Sequence, residues 1–285
     1  MSKRPAIGVF DSGVGGLTVL KELAALVPAA DYLYFGDTAR LPYGSKSVET
    51  VARYAISAAR FLEEKKIELL VVACNTASAL ALEAIAAAVR VPVIGVIEPG
   101  ADAAAAASRT RKAVVIGTEG TVSSHAYQRA LAARGIEARE QACPLFVPLV
   151  EEGWTDHPVT EQVAHIYLDE LFRNGPVGAD VMVLGCTHYP LLKPLLGRLA
   201  PPQVTIVDSA ESTARAVASR LGAGTSTGAS VEAAVRPSPG DAITGVSTGL
   251  HFFSTDSVEK FRCLGERFLG HPVEDVAHVD LDRLP

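Results

Sequence analysis

Four cysteines supply the thiol chemistry open to this 285-residue chain: Cys74, Cys143, Cys186 and Cys263. None forms a CxxC pair, and none lies in a histidine-containing run with metal-ligand spacing. Two of them share a setting. Cys74 closes the apolar run 69–73 and is followed by Asn75 and Thr76; Cys186 closes the run 181–185 and is followed by Thr187 and His188. A residue at the carboxyl end of a buried parallel strand points into the crevice where α/β proteins bind ligands. The next helix presents unpaired N–H groups and partial positive charge there. Such a setting is expected to lower a thiol's pKa and favour the reactive thiolate. A tenfold gain in thiolate takes about 1.4 kcal/mol of preference for the anion, within reach of a helix terminus and a hydrogen bond. One such cysteine alone reads better as a small buried hydrophobe; two at equivalent strand ends favour chemistry. Cys143, in an apolar turn before Pro144, and Cys263, on an amphipathic helical pattern, read as structural.

Other polar residues cluster at similar turns. Asp11-Ser12-Gly13-Val14-Gly15-Gly16 follows the first apolar run. It matches neither the dinucleotide fingerprint nor the P-loop. A glycine-rich strand-to-helix turn still offers backbone N–H groups to an anion such as a carboxylate. Asp11 is suited to hold an ammonium group or orient a thiol, or equally to cap a helix. Pro42-Tyr43-Gly44-Ser45 reads as a surface turn before a helix. His188, two residues past Cys186, is placed to relay a proton or supply charge beside a thiolate. Glu151-Glu152 reads, on its own, as a solvated acidic pair.

The elements that must position these residues alternate regularly. Apolar runs at 7–10, 32–35, 69–73, 93–97, 114–116, 136–141, 181–184, 204–207 and 251–254 predict strands. Helical spacing is read at 17–26, 48–65, 77–89, 101–108, 124–134, 161–173, 191–199, 212–221 and 257–269. Strands apolar on both faces, alternating with helices, predict α/β architecture with parallel sheets covered by helices. A weak internal repeat supports two similar halves. The run ending at Cys74 resembles the one ending at Cys186, and 7–13 parallels 114–120. The stretch 222–249, rich in Gly, Ser, Thr and Pro, reads as a long loop without chemistry.

Charge and hydropathy exclude several classes. With 26 Lys+Arg against 32 Asp+Glu the net charge is −6, so the broad positive field of non-specific nucleic-acid binders is missing. The apolar run before Asp11 is too short for a signal-peptide core. No uninterrupted apolar stretch approaches the roughly 20 residues of a membrane span. A cytoplasmic protein, free of the membrane, is the expectation.

Taken together the motifs resemble those of bacterial glutamate racemases, in the aspartate/glutamate racemase superfamily. The matching segments are Asp11-Ser12-Gly13-Val14-Gly15-Gly16-Leu17-Thr18, Gly36-Asp37-Thr38-Ala39-Arg40, Pro42-Tyr43-Gly44, Ala73-Cys74-Asn75-Thr76-Ala77, Gly95-Val96-Ile97-Glu98-Pro99-Gly100 and Gly185-Cys186-Thr187-His188-Tyr189-Pro190. The likeness runs from Ile7 to about Ala214, more weakly over 251–269. It implies two pseudo-symmetric α/β domains, 1–98 with 208–285 and 99–207, and an active site in the cleft between them. It implies a reaction without cofactor or metal that interconverts L- and D-glutamate and supplies D-glutamate for peptidoglycan. Cys74 would deprotonate D-glutamate and Cys186 L-glutamate. Asp11 and His188 match the residues beside the two thiols. Glu151, unlike Glu152, matches a third acidic helper. Asp11, Ser12, Tyr43, Gly44, Asn75, Thr76, Thr187 and His188 match substrate-binding positions, with Thr118 a weaker candidate. A homodimer is implied as well. Some relatives carry an N-terminal extension tied to activation by a cell-wall precursor, and none is expected before Asp11. The competing readings are an aspartate racemase or related Cys-pair enzyme, and a non-catalytic amino-acid binding protein. A phosphotransferase is disfavoured because Asp11 lacks the second aspartate of a D-x-D pattern.

Overall fold

Strand and helix alternate along the described residues, as the apolar runs predict. This computed structural model describes residues 4–222 and 249–284; most of the predicted loop at 222–249 lies outside the described residues. The first half runs β1 (Ala6–Asp11), α1 (Leu17–Leu26), β2 (Asp31–Gly36), α2 (Val48–Glu64), β3 (Leu69–Val72), α3 (Asn75–Ala88), β4 (Val93–Gly95) and α4 (Ile97–Ala107). The second runs β5 (Lys112–Gly117), α5 (Glu119–Ser123), α6 (Ala126–Ala132), β6 (Glu137–Ala142), α7 (Phe146–Glu151), α8 (Pro158–Asn174), β7 (Val181–Gly185), α9 (Lys193–Leu199) and β8 (Thr205–Asp208). The chain then returns through α10 (Ser209–Arg220) and closes with β9 (Leu250–Ser254), α11 (Val258–Leu269) and β10 (Val276–His278).

Two sheets result, and every strand pairing in them is parallel. The first has the order β10-β9-β2-β1-β3-β4 and the second β6-β5-β7-β8. The segment β2-β1-β3-β4 repeats as β6-β5-β7-β8, so the repeat seen in the sequence is a repeat of topology. β1 corresponds to β5 and β3 to β7, which places Cys74 and Cys186 at equivalent strand ends. The central strands are buried on both faces because helices cover both. One hydrophobic layer continues beneath both sheets, joining Leu17 and Leu20 of α1, Val217 of α10, Ile116 and Leu184 of the second sheet, and Phe146 of α7.

Several boundaries differ from the sequence reading. The helix predicted at 124–134 is interrupted at His125, whose φ of 53° is left-handed, and α5 precedes the break. Helix α4 starts at Ile97, earlier than expected. Its Pro99 lies in the first turn, where no intrahelical N–H bond is lost. Helix α7 and strand β10, six and three residues long, are too short to impose a readable period.

Candidate active site

Cys74 follows β3 and takes the extended backbone of a helix N-cap. Its Sγ accepts the Ala77 N–H at 3.4 Å, and the thiol donates to Ser12 Oγ at 3.6 Å. Only 5% of the residue is exposed. Burial, reinforced by the charge of Asp11, pushes this thiol up to about 12, while the hydrogen bonds from Ala77 and Ser12 pull the other way. The sequence expectation of a thiol made acidic by its helix terminus is therefore reversed at Cys74. Removing a thiolate from water costs more than the N–H groups of Ala77 and Ser12 and the Ser12 hydroxyl return, so Cys74 rests as a thiol.

The other thiol has a different neighbour. Cys186 follows β7, and Thr187 and His188 complete the turn. Burial pulls the His188 imidazole down, but the adjacent Cys186 sulfur and Glu151 carboxylate outweigh it and hold the pKa at about 10. His188 is thus an imidazolium at neutral pH. Its Nε2 lies 3.0 Å from Oε1 of Glu151, the last residue of α7. Burial alone would raise Glu151, but the hydrogen bond and charge of His188 bring it below the ordinary carboxylate range. The solvated-pair reading fails for Glu151 and holds for exposed Glu152. Helix α11 supports this corner. The Phe268 ring meets His188 edge-on at 5.0 Å, and Arg267 donates to the Glu151 carbonyl at 2.5 Å.

The two corners meet at the glycine-rich turn. A Cβ on Gly15 would collide with Thr187 Oγ1 and the His188 ring, so only glycine allows this approach. Thr18 Oγ1 donates to the Thr187 carbonyl at 3.0 Å, tying α1 to the turn after β7. Asp11 is fully buried here, and its Oδ2 accepts the Gly13 N–H at 2.9 Å. It does not cap α1, whose N-cap is Gly16. Burial raises the Asp11 pKa, opposed by the His188 charge and by the Gly13 and Gly16 N–H groups. Asp11 thus acts electrostatically on Cys74 on one side and His188 on the other. Thr187 and Cys186 lie close enough to act on Asp11 and His188. Even so, Asp11 Oδ1 and His188 Nδ1 are buried polar atoms with no hydrogen-bond partner among the described residues. Such atoms are costly unless something completes them.

A second line of contact crosses between the sheets on the Cys74 side. Thr76 Oγ1 and Thr118 Oγ1 are 2.9 Å apart, and Thr118 also caps α5 by accepting the Thr121 N–H. A Cβ on Gly44 would stand 2.8 Å from Thr118 Cβ. Tyr43, buried rather than on a surface turn, donates to Asp37 Oδ2 at 2.6 Å, and Thr255 donates to Asp37 Oδ1 at 2.9 Å. The Asn75 side chain is already engaged. Its Oδ1 accepts from Tyr127 at 2.7 Å and its Nδ2 donates to Ser209 Oγ at 3.4 Å. At this helix start the Asn75 backbone N–H has no intrahelical partner and is available to a ligand.

The sequence-predicted residues thus form one connected cluster. Sequence reasoning passed over Asp37, Thr255, Tyr127 and Ser209, which hold that cluster. Asp37 stood inside a motif already singled out, whereas Tyr127, inside an ordinary helical pattern, gave no signal. Cys143 is buried in the hydrophobic layer that also holds Cys186, and Cys263 is exposed on α11. Among the described residues no group of three or more His, Cys, Asp or Glu side chains is placed to hold a metal ion. No described helix is long and apolar enough to cross a membrane.

Comparison with known proteins gives concordant matches. The family model for Asp/Glu/Hydantoin racemase matches residues 7–217. The glutamate racemase of Koribacter versatilis (strain Ellin345) is 61% identical, the alignment covering 98% of each chain. The solved structure of the Thermus thermophilus glutamate racemase, in complex with β-chloro-D-alanine, is similar at a TM-score of 0.81 and 45% identity, with 98% of each chain covered. That of the Francisella tularensis subsp. tularensis SCHU S4 enzyme, in complex with D-glutamate, is similar at 0.83 and 33%, again over 98% of each chain.

Proposed function

The chain belongs to the Asp/Glu/Hydantoin racemase family, and from that premise we propose that Cys74 and Cys186 are the two bases of its reaction. The enzyme is an amino-acid racemase, an isomerase that interconverts L- and D-glutamate. The observation that carries the assignment is the meeting of the two strand-end turns. It joins Cys74, Asp11, His188 and Cys186 in one buried cluster.

The two ends of the cluster have different electrostatics. Cys74, buried beside an acid, is a thiol and so a proton donor. Cys186 lies beside the His188 imidazolium, a counter-charge for the negative charge the sulfur carries whenever it serves as the base. In the L-to-D direction Cys186 is the base and Cys74 the acid. The Cys186 thiolate takes the α-proton from one face of Cα, and the Cys74 thiol delivers its own proton to the opposite face. D-Glutamate leaves, with Cys186 as thiol and Cys74 as thiolate. The reverse reaction starts from that state, in which the Ser12 hydroxyl and Ala77 N–H hold the Cys74 thiolate. Near-attack positioning and the backbone N–H groups of Asn75 and Thr76 at the start of α3, offered to the substrate carboxylate, stabilise the carbanionic state. Asp11, buried between Cys74 and His188, is the acid beside the substrate ammonium. Ser12, Tyr43, Gly44, Asn75, Thr76, Thr118, Thr187 and His188 complete the binding surface, and Glu151 keeps His188 charged.

Residues 1–98 with 208–285 form one domain and 99–207 the other, with the substrate cleft between them. The protein acts as a homodimer in the cytoplasm and supplies D-glutamate for peptidoglycan. A racemisation assay on purified protein with D-glutamate and D-aspartate tests the assignment. Turnover of glutamate well above that of aspartate is expected; absence of glutamate racemisation would overturn it.

A further inference from the structure

One buried ring touches the neighbours of both thiols and both places where the chain passes between the sheets. Tyr127, on α6, has no exposed surface. Its hydroxyl donates to Asn75 Oδ1 at 2.7 Å, and Asn75 is the residue after Cys74. On the other side, a Cβ on Gly185, the residue before Cys186, would come within 3.0 Å of the ring. A Cβ on Gly100, in the outbound helix α4, would stand 3.2 Å from both the ring and its hydroxyl. Ser209, the first residue of the returning helix α10, completes a triangle with the phenol and the Asn75 amide. The ring therefore occupies a slot kept open by two glycines, and its one polar atom ends on the thiol-bearing turn of the other sheet.

From this placement we propose that Tyr127 is a positioning residue that sets the spacing of Cys74 and Cys186 across the substrate. The inference rests on the two-thiol reading above. Two groups that must reach opposite faces of one carbon tolerate little error, and a misplacement of about 1 Å can cost about 100-fold. A core tyrosine needs its hydroxyl only for a satisfied hydrogen bond. Here the bond spans the two sheets and fixes the residue adjoining a reacting sulfur. The phenol, buried and held well above its ordinary pKa, remains a donor throughout the working pH range.

The test is Tyr127→Phe in the full-length enzyme. It keeps the ring in its slot and removes only the hydroxyl. Steady-state kinetics are read in both directions at a temperature well below the variant's melting midpoint, with circular dichroism confirming the fold. A fall in kcat of about tenfold or more, with KM within about threefold, is expected. Ser209→Ala, which removes one side of the triangle, should lower kcat in the same manner. The double variant should lose less than the product of the two single effects, because the residues act as one unit. A kcat within twofold of the parent enzyme in folded Tyr127→Phe overturns the inference, whatever the melting midpoint does. If Tyr127→Phe does not fold, an unchanged kcat in Ser209→Ala overturns it. Cys74→Ala and Cys186→Ala are assayed alongside. Near-normal turnover in either would overturn the two-thiol reading, and this inference with it. Two inactive cysteine variants beside a fully active Tyr127→Phe would remove Tyr127 alone.

Discussion

The Nε2 atom of His188 stands 3.0 Å from Oε1 of Glu151, and the pair joins the turn after β7 to the end of α7. It keeps a cation beside the Cys186 sulfur. Removing the carboxylate should therefore act through the imidazole. Glu151→Gln is expected to lower the His188 pKa from about 10 to about 9 or below, the usual effect of losing an opposite charge at contact distance. The alkaline limb of the pH profile of kcat/KM should move to lower pH by a similar amount. A limb that stays in place would separate Glu151 from the charge of His188.

The same pair makes stability depend on pH with a definite sign. The folded pKa of His188, about 10, lies above the ordinary histidine value of roughly 6.5. Its contribution is therefore fully present below pH about 6.5 and lost as pH rises towards 10. Glu151 is lowered. Its contribution is present above the ordinary glutamate pKa and lost as pH falls through the depressed value. Thermal unfolding of the parent enzyme should show a melting midpoint declining between about pH 7 and 10, and Glu151→Gln should flatten that decline. Parallel curves for the two proteins would contradict the linkage.

Gly15 tests the contact between the two turns. An added Cβ would meet Thr187 Oγ1 and the His188 ring, and the ring is held in place by Glu151 and Phe268. Gly15→Ala should lower kcat by about 100-fold. Overpacking should cost the fold about 1–3 kcal/mol. Kinetics and chemical denaturation of the same preparation read both. Unimpaired turnover would show that the turns need not approach so closely.

Much of this site was legible in the sequence, for identifiable reasons. Strand ends, glycine turns and the residues that follow them are local features, so the chain itself marks Asp11, Cys74, Cys186 and His188. The repeat of apolar runs carried the two-sheet topology. What escaped depends on contacts between residues distant in the chain. Asp37 is held by Thr255, 218 positions away, and Tyr127 finds Asn75 across 52. The reversed expectation at Cys74 has the same origin. The helix terminus is visible in the sequence; the depth of burial that overrides it is not.

Each thiol should be indispensable. Cys74→Ala and Cys186→Ala are each expected to reduce racemisation by at least about 1,000-fold, since each removes one proton-transferring group from the proposed two-base reaction. The fold should survive, because cysteine is small and the packing lost is modest. Circular dichroism and kinetics on each variant check this. Turnover within tenfold of the parent in either would remove that thiol from the mechanism.

The direction of proton traffic separates two bases from one. Protonated L-glutamate is supplied in heavy water. The Cys186 thiolate removes the α-proton from one face. Cys74, a thiol in the resting enzyme, has exchanged with solvent and delivers deuterium to the other face. D-Glutamate formed at low conversion should therefore be almost fully deuterated at Cα. Unreacted L-glutamate should stay largely protonated, because return to L uses the proton just taken by Cys186, provided that thiol is slow to exchange in the closed site. Starting from D-glutamate, the roles reverse and L-glutamate gains the deuterium. A single base serving both faces would carry part of the original proton into product. Mass spectrometry of the separated enantiomers reads the difference. Early product that keeps the substrate's own proton in substantial amount would reject the two-cysteine mechanism while leaving the racemase activity in place.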